Sequence, residues 1–413
     1  MEKRIALILT GGGARAAYQV GVLKAIAEFI PRRSHSPFTI ICGTSAGALN
    51  AATLAINAKT FSMGVQYLVN TWKNFHPNQI YRTDVVGVLN NSMLWFAGIL
   101  FGAIGIRSKK LSQVSLLDNS PLIEFLEQIL PCEKIQDSID SGYLRALSVT
   151  ASGYGSGESV TFYQGSNDLI PWSRTGRVGV PTQIQTKHLL ASASLPFIFK
   201  PTLINREYFG DGSMRQIAPI SSALHLGATR VLIIGVTNSE YANHEQRNQI
   251  HEYPTLAQIA GHALDSIFLD SMEVDLERVK KINDLVAIMP AEMRESTNLR
   301  HVDVLVISPS QPIDKIAERY VKELPWTIRF LLRLIGARGH HGVKLVSYLL
   351  SGKKFCRAMI ELGYKDALDR RAEIMALLEM KPRQNFDNHL LGLQPGRVFR
   401  CQDGRQGGAS GLM

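Results

Sequence analysis

Ser45 lies in Gly43-Thr44-Ser45-Ala46-Gly47, between an apolar run, Phe38–Cys42, and Ala46–Ala58, a stretch rich in helix formers. A Gly-x-Ser-x-Gly turn that joins a strand to a helix makes a tight, strained bend and exposes the serine hydroxyl. Small residues at Gly43 and Gly47 are needed there, because a Cβ would meet the neighbouring backbone. The start of the helix then points its N–H groups and positive dipole end at any charge forming beside Ser45. This setting suits a nucleophile in acyl transfer. In a chain with 34 glycines the motif alone also fits an ordinary turn, so the strand–turn–helix context is what favours chemistry.

A second glycine turn, Gly11-Gly12-Gly13-Ala14-Arg15, follows the β-like run Arg4–Thr10. Backbone N–H groups of such a loop can stabilise an oxyanion, and losing one such donor typically costs ~10²–10³ in rate. The same loop admits a rival reading, because Gly11-x-Gly13-x-x-Ala16 fits the dinucleotide fingerprint. That site also needs an acid at the end of the second strand. Here the strand ends Ile41-Cys42-Gly43, and Glu28 falls within a helix, so nucleotide binding is the remote alternative.

Ser45 needs a base. An α/β-hydrolase triad runs Ser, Asp or Glu, then His, with several strands ahead of the nucleophile. Here there is room for only about two. His225, His251, His262 and His301 all follow Ser45, and none sits in a turn built for display. Asp211 is the better candidate. It ends a short aromatic strand, Glu207–Gly210, and is followed by Gly212 and Ser213, a pattern equally at home in a hairpin turn. Just upstream, Ala191–Pro201 combines small residues with a Pro-bracketed apolar stretch, as expected where a helix end packs against a site.

In this order, the Gly11–Arg15 loop, the Gly43–Gly47 turn, the Ala191–Pro201 segment and Asp211-Gly212 resemble patatin-like phospholipases. The similarity spans about residues 4–240 and is confined to these blocks. It implies a three-layer α/β/α sandwich with a mainly parallel central sheet, lipid acyl esters as substrates and a Ser–Asp dyad with no cofactor or metal. By the resemblance Ser45 is the nucleophile, Asp211 its base, and Gly11, Gly12 and Gly13 the oxyanion loop. Gly43, Gly47, Gly212 and Arg15 support them. Arg15 either braces the loop or attracts an anionic head group. One departure stands out: Ser213 occupies a position where the family usually has Gly or Ala, which bears on how Asp211 is held.

The remaining chain must position these groups. Leu144–Tyr154 and Glu158–Gln164 read as paired strands, Arg230–Val236 and Val302–Ser308 as buried ones. Pro254–Val286 reads as a long helix, with Leu256, Ile259, Ala260, Ala263, Leu264 and Ile267 at helical spacing. From about Asp314 the pattern is helical, and Gln394–Met413 reads as a disordered tail. The expected division is a hydrolase domain over 1–310, with 85–140 a helical cap, a helical C-terminal region over 311–393 and the tail over 394–413.

Of 413 residues, 45% are hydrophobic and 19% charged, ordinary for a folded protein. Cys42, Cys132, Cys356 and Cys401 show no paired spacing, and Met1–Arg4 runs straight into a core strand, so a cytoplasmic setting is expected. The net charge of +10 is dispersed and lacks a nucleic-acid motif; an anionic membrane surface suits it better. Met93–Ile106, followed by Arg107-Ser108-Lys109-Lys110, is too short to span a bilayer. It is expected either to dip into lipid peripherally or to pack as a buried cap helix. In Trp326–Ile335, Arg329 and Arg333 would share one helix face. Two alternatives to a lipid hydrolase stay open: a non-catalytic membrane-associated protein retaining the fold, and a soluble esterase or thioesterase.

Overall fold

Continuous apolar runs such as those at 5–9 and 231–234 have no polar face, and such strands belong in the interior of a parallel sheet. The computed structural model describes residues 4–84, 93, 115–237, 256–297, 299–334 and 343–380. Its strands are β1 (Ile5–Leu9), β2 (Ile40–Thr44), β3 (Ala146–Gly153), β4 (Ser159–Gly165), β5 (Trp172–Arg174), β6 (Arg177–Pro181), β7 (Thr202–Ile204), β8 (Glu207–Asp211), β9 (Arg230–Ile234) and β10 (Asp303–Ile307). Among the described residues they form one 10-stranded sheet ordered β10-β9-β1-β2-β3-β4-β6-β5, with the β7–β8 hairpin joined to β3. From β10 to β3 all neighbours are parallel.

Side chains alternate between the two faces. Leu7, Leu9, Ile41, Leu147 and Ile234 join the larger buried cluster, while Ala6, Ile8, Ile40, Cys42 and Ile233 join the smaller. On the larger face lie α1 (Ala17–Phe29), α2 (Ala46–Ile56), α3 (Phe61–Lys73), α4 (Ser120–Ile129), α5 (Lys134–Asp140) and α6 (Thr186–Ser192). The smaller face is covered by α7 (Ser221–His225) and α8 (Leu256–Ile288), followed by α9 (Ala291–Ser296). Helices on both faces of a mostly parallel sheet make the α/β/α sandwich that the sequence led us to expect. The C-terminal helices are α10 (Ile313–Glu318), α11 (Trp326–Leu334), α12 (Val343–Leu349), α13 (Lys353–Asp369) and α14 (Arg371–Leu377). Helix α13 packs along α1, and the Tyr18 hydroxyl donates to Asp366 across that contact at 2.9 Å. Residues up to Met380 belong to one compact unit.

The expected long helix is present as α8; of its expected apolar stripe, only the Ile259 side chain falls among the described residues. Ile259 is 51% exposed, and the buried contacts of the C-terminal half come from Asp275, Val279 and Val286. Of Met93–Ile106 only Met93 falls among the described residues, and it is exposed; Gln394–Met413 lies outside them. No helix among the described residues is long and apolar enough to cross a membrane. Cys42, Cys132 and Cys356 are buried free thiols.

Candidate active site

Strand length places the key residues. Strand β2 pairs with β3 up to Thr44 opposite Thr150. Strand β3 runs three residues further, and on that free edge β8 pairs antiparallel, with Asp211 opposite Ala151. The C-terminal ends of β2 and β8 therefore meet head-on along one edge of β3, with Ser45 leaving one and Asp211 ending the other. The Thr44 hydroxyl donates to Gln216 at 3.0 Å and ties the turn after Asp211 to the end of β2.

Ser45 has φ 55° and ψ −131°, a conformation L residues avoid. Strain of this kind costs ~1–3 kcal/mol and persists only where the surroundings over-determine it. Two hydrogen bonds do so. Ser45 N donates to Ser192 Oγ at 2.8 Å, and Ser192 Oγ donates to the Thr150 carbonyl at 2.6 Å, all of it buried. Helix α2 then starts against β1, where a Cβ on Gly47 would stand 2.3 Å from the Leu9 carbonyl oxygen. A Cβ on Gly43 would stand 2.5 Å from Ala48 Cα, and one on Gly212 2.0 Å from the Thr150 oxygen. These glycines are required by close approach, as the sequence suggested for Gly43 and Gly47.

Asp211 is 1% exposed. Its Oδ1 accepts from Ser213 N at 2.9 Å, while Oδ2 has no hydrogen-bond partner of good geometry among the described residues. Burial pushes its pKa up to about 6; the nearby Ser45 hydroxyl, the Ser213 N–H and the Ser213 hydroxyl pull the other way. Ser213, the departure from the family pattern, thus bonds the carboxylate through its backbone, which any residue can do. Its hydroxyl lies near enough to favour the charged form.

The Gly11–Gly13 loop leaves β1 beside this turn. Gly13 has φ 55°, and a Cβ on it would stand 2.3 Å from the Tyr348 carbonyl oxygen of α12. Two buried networks hold the loop. Gln19 Nε2 donates to the Thr10 carbonyl at 2.8 Å, Asn50 donates to Gln19 at 2.9 Å, and Trp72 donates to Asn50 at 2.8 Å. Arg15 is 2% exposed; it bonds Ser347 and Asp314, each at 2.8 Å, and its guanidinium lies 4.1 Å from the Tyr348 ring centre. Of the two roles considered for Arg15, bracing fits and head-group attraction does not, because the guanidinium is already enclosed and paired.

Ser45, Ala46, Gly13 and Ala14 line a cleft enclosing about 860 Å³, part of it open to solvent. Its walls are apolar, with Leu68, Trp72, Phe75, Phe125, Leu195 and Phe199 among them. No histidine lines it among the described residues. His225 instead stacks on Trp172, and His301 pairs with Asp303 at the far end of β10. His262 is exposed, and His251 lies outside the described residues.

The sequence did not point to Ser192, Gln19, Asn50 or the Arg15–Asp314 pair. Their only trace is a polar residue inside an apolar helical pattern, a weak signal without the fold. Ser192 is a positioning residue by this geometry. Ser192→Ala takes a hydrogen-bond partner from the buried Ser45 N–H and from the Thr150 carbonyl, at a cost of ~1–3 kcal/mol. The expected outcome is kcat lower by about tenfold with KM little changed, since ~1.4 kcal/mol of lost ordering at Ser45 is a factor of ten.

A family model described as patatin-like phospholipase matches residues 7–224. No protein of curated function matches the chain. Among solved structures, VipD from Legionella pneumophila shares 13% identity at a TM-score of 0.33, covering 92% of this chain and 67% of that one. The type III effector ExoU shares 14% identity at a TM-score of 0.25, covering 83% and 74%. A complex of full-length ExoU with SpcU, from the type III secretion system of Pseudomonas aeruginosa, gives 16%, 0.20, 39% and 34%. The family match spans more than half of the sequence and contains Ser45, Asp211 and the glycine loop, and on it this chain belongs to the patatin-like phospholipases.

Proposed function

We propose that the protein is a serine hydrolase that cleaves acyl esters of phospholipids or related lipids through Ser45 and Asp211. The observation that carries this reading is a serine in a strained strand-to-helix turn, lining an apolar cleft, with a buried carboxyl of raised pKa nearby. The cleft suits an acyl chain lying along Leu68, Trp72 and Phe125 with its ester at Ser45. Ser45 Oγ attacks the carbonyl carbon and passes its proton to Asp211. Charge collects on the carbonyl oxygen, where N–H groups of the Gly11–Gly13 loop stabilise it. The C–O bond to the alcohol then breaks, and the leaving oxygen takes the proton back from Asp211. Water, deprotonated by Asp211, attacks the acyl-Ser45 ester and releases the fatty acid, and the proton returns to Ser45.

Asp211 accepts a proton only when ionised. For hydrolysis of a soluble short-chain ester, kcat/KM is therefore expected to fall below about pH 6 along a single acid limb. Absence of that limb in an active enzyme, with activity surviving Ser45→Ala, would remove this reading. An inactive, folded native chain would favour the non-catalytic alternative.

A further inference from the structure

Exposed aromatic side chains that do not line the cleft, Phe197 and those of α11, lie on segments adjoining residues that do. Phe197 lies between the cleft residues Leu195 and Phe199 and is 79% exposed. Its φ is 66°, a left-handed conformation that a bulky residue rarely adopts. Two backbone hydrogen bonds, from Leu116 N to the Phe197 carbonyl at 3.2 Å and from Leu117 N to the Ile198 carbonyl at 2.9 Å, hold the tip in place. A phenyl ring is thus held out in water on a strained, anchored turn. The cleft residues Ile80 and Tyr81 lead to Thr83, whose carbonyl accepts from Thr327 of α11 at 3.2 Å.

Helix α11 is two-sided. Thr327, Ile328, Leu331 and Leu332 are buried, while Trp326, Phe330 and Arg333 follow one another at i, i+4 and i+7 on the outside. Trp326 is 57% exposed and Phe330 47%. Tryptophan, phenylalanine and arginine on one outward face is the composition of an interfacial helix, not of a solvated one. The nearby exposed basic residues Lys315, Arg319 and Lys322 add charge of the same sign. Two of the three acids of this stretch are engaged elsewhere: Asp314 pairs with Arg15, and Glu323 accepts from Lys354 N and Phe355 N, so the exposed basic residues outnumber the remaining acid, Glu318.

We propose that Phe197 and the Trp326/Phe330/Arg333 face of α11 form a docking rim that seats the cleft mouth on an anionic lipid bilayer. This rests on the lipid reading of the cleft and names the surface that presents the substrate. The aromatic rings enter the acyl boundary, the basic residues meet the anionic head groups, and an acyl chain leaves the bilayer directly into the apolar cleft. Aromatic burial sets the orientation, and charge sets the preference for anionic lipid.

The test is co-sedimentation with vesicles of roughly four parts phosphatidylcholine to one part phosphatidylserine, and with pure phosphatidylcholine. The full chain is compared with Phe197→Asn, with Trp326→Ser/Phe330→Ser and with the triple combination. Asparagine accepts left-handed backbone readily, so Phe197→Asn relieves strain and does not threaten folding. Native protein is expected to prefer the anionic vesicles and to lose that preference in high salt. Each variant is expected to bind about tenfold more weakly and the triple variant about a hundredfold, as two lost anchors of ~1.4 kcal/mol each would give. Turnover of a soluble short-chain ester should be unchanged in all of them. Native protein that ignores both vesicle types, or a triple variant that binds like native, overturns the proposal. So does a rim that instead mediates self-association, seen as dimers that the triple variant abolishes. Rim-dependent vesicle binding without any ester turnover would keep the docking surface and sink the hydrolase reading.

Discussion

Asp211→Asn is expected to lower ester hydrolysis by about 10²–10⁴-fold while making the protein more stable at pH 8, with general-base loss setting the first effect. The second follows from the carboxyl's buried setting. Its pKa stands at about 6 in the fold against an ordinary value of 3.8, chiefly through burial. The folded protein therefore holds this proton more tightly than the unfolded chain. Stability declines as pH rises from 3.8 through about 6, and the loss is complete above that. A shift of this size corresponds to about 3 kcal/mol at most, at ~1.4 kcal/mol per unit. Asparagine keeps the shape without the charge and escapes the decline, and its amide can point at the Ser45 oxygen. Denaturant unfolding at pH 8 and pH 4.5 checks this: the gain should appear at about pH 8 and shrink as the native carboxyl becomes protonated. A variant less stable than native at both values would mean that Asp211 is held as a structural anion.

Gly13→Ala is expected to reduce kcat by about 10²–10³-fold in a protein that still folds, the size associated with losing one oxyanion donor. Alanine at φ 55° is strained, and its Cβ would stand 2.3 Å from the Tyr348 carbonyl oxygen, so either the loop or α12 must shift. Gly142 supplies the control. It has φ 74°, yet a Cβ there meets nothing within 4 Å. Gly142→Ala should therefore cost only the left-handed strain of ~1–2 kcal/mol and leave turnover untouched. Circular dichroism with steady-state kinetics separates the two. Equal kinetic loss in both variants would mean that general destabilisation, not the loop, governs the rate.

The strand–turn–helix around Ser45 was legible because local chemistry writes it: an apolar run, a glycine on each side of the bend, then helix formers. The parallel core was legible for a similar reason, since β1 and β9 are apolar on both faces. The pairing that brings β8 to the extended end of β3 was not. Nothing in Glu207–Asp211 says which strand it joins, and the contact spans some sixty residues of chain. Ser192 was hidden for the same reason: it bonds Ser45 across 147 positions and looks like one small residue among several. Arg15 drew attention by its place next to the glycines, but its partners Asp314 and Ser347 lie about three hundred residues away. The cleft too is a tertiary product, with walls drawn from α3, α4, the segment after α6 and the end of α12. Hydrophobic spacing marked those residues as buried without saying that they enclose a space.

The central claim is that Ser45 is a nucleophile activated by Asp211, and labelling with a fluorophosphonate probe tests it most directly. The probe forms a covalent bond only with an activated serine, so it needs no knowledge of the substrate. Native protein is expected to label strongly, Ser45→Ala not at all and Asp211→Asn far more slowly than native. Label found on Ser45→Ala, or labelling of native protein that Asp211→Asn leaves unchanged, would contradict the account.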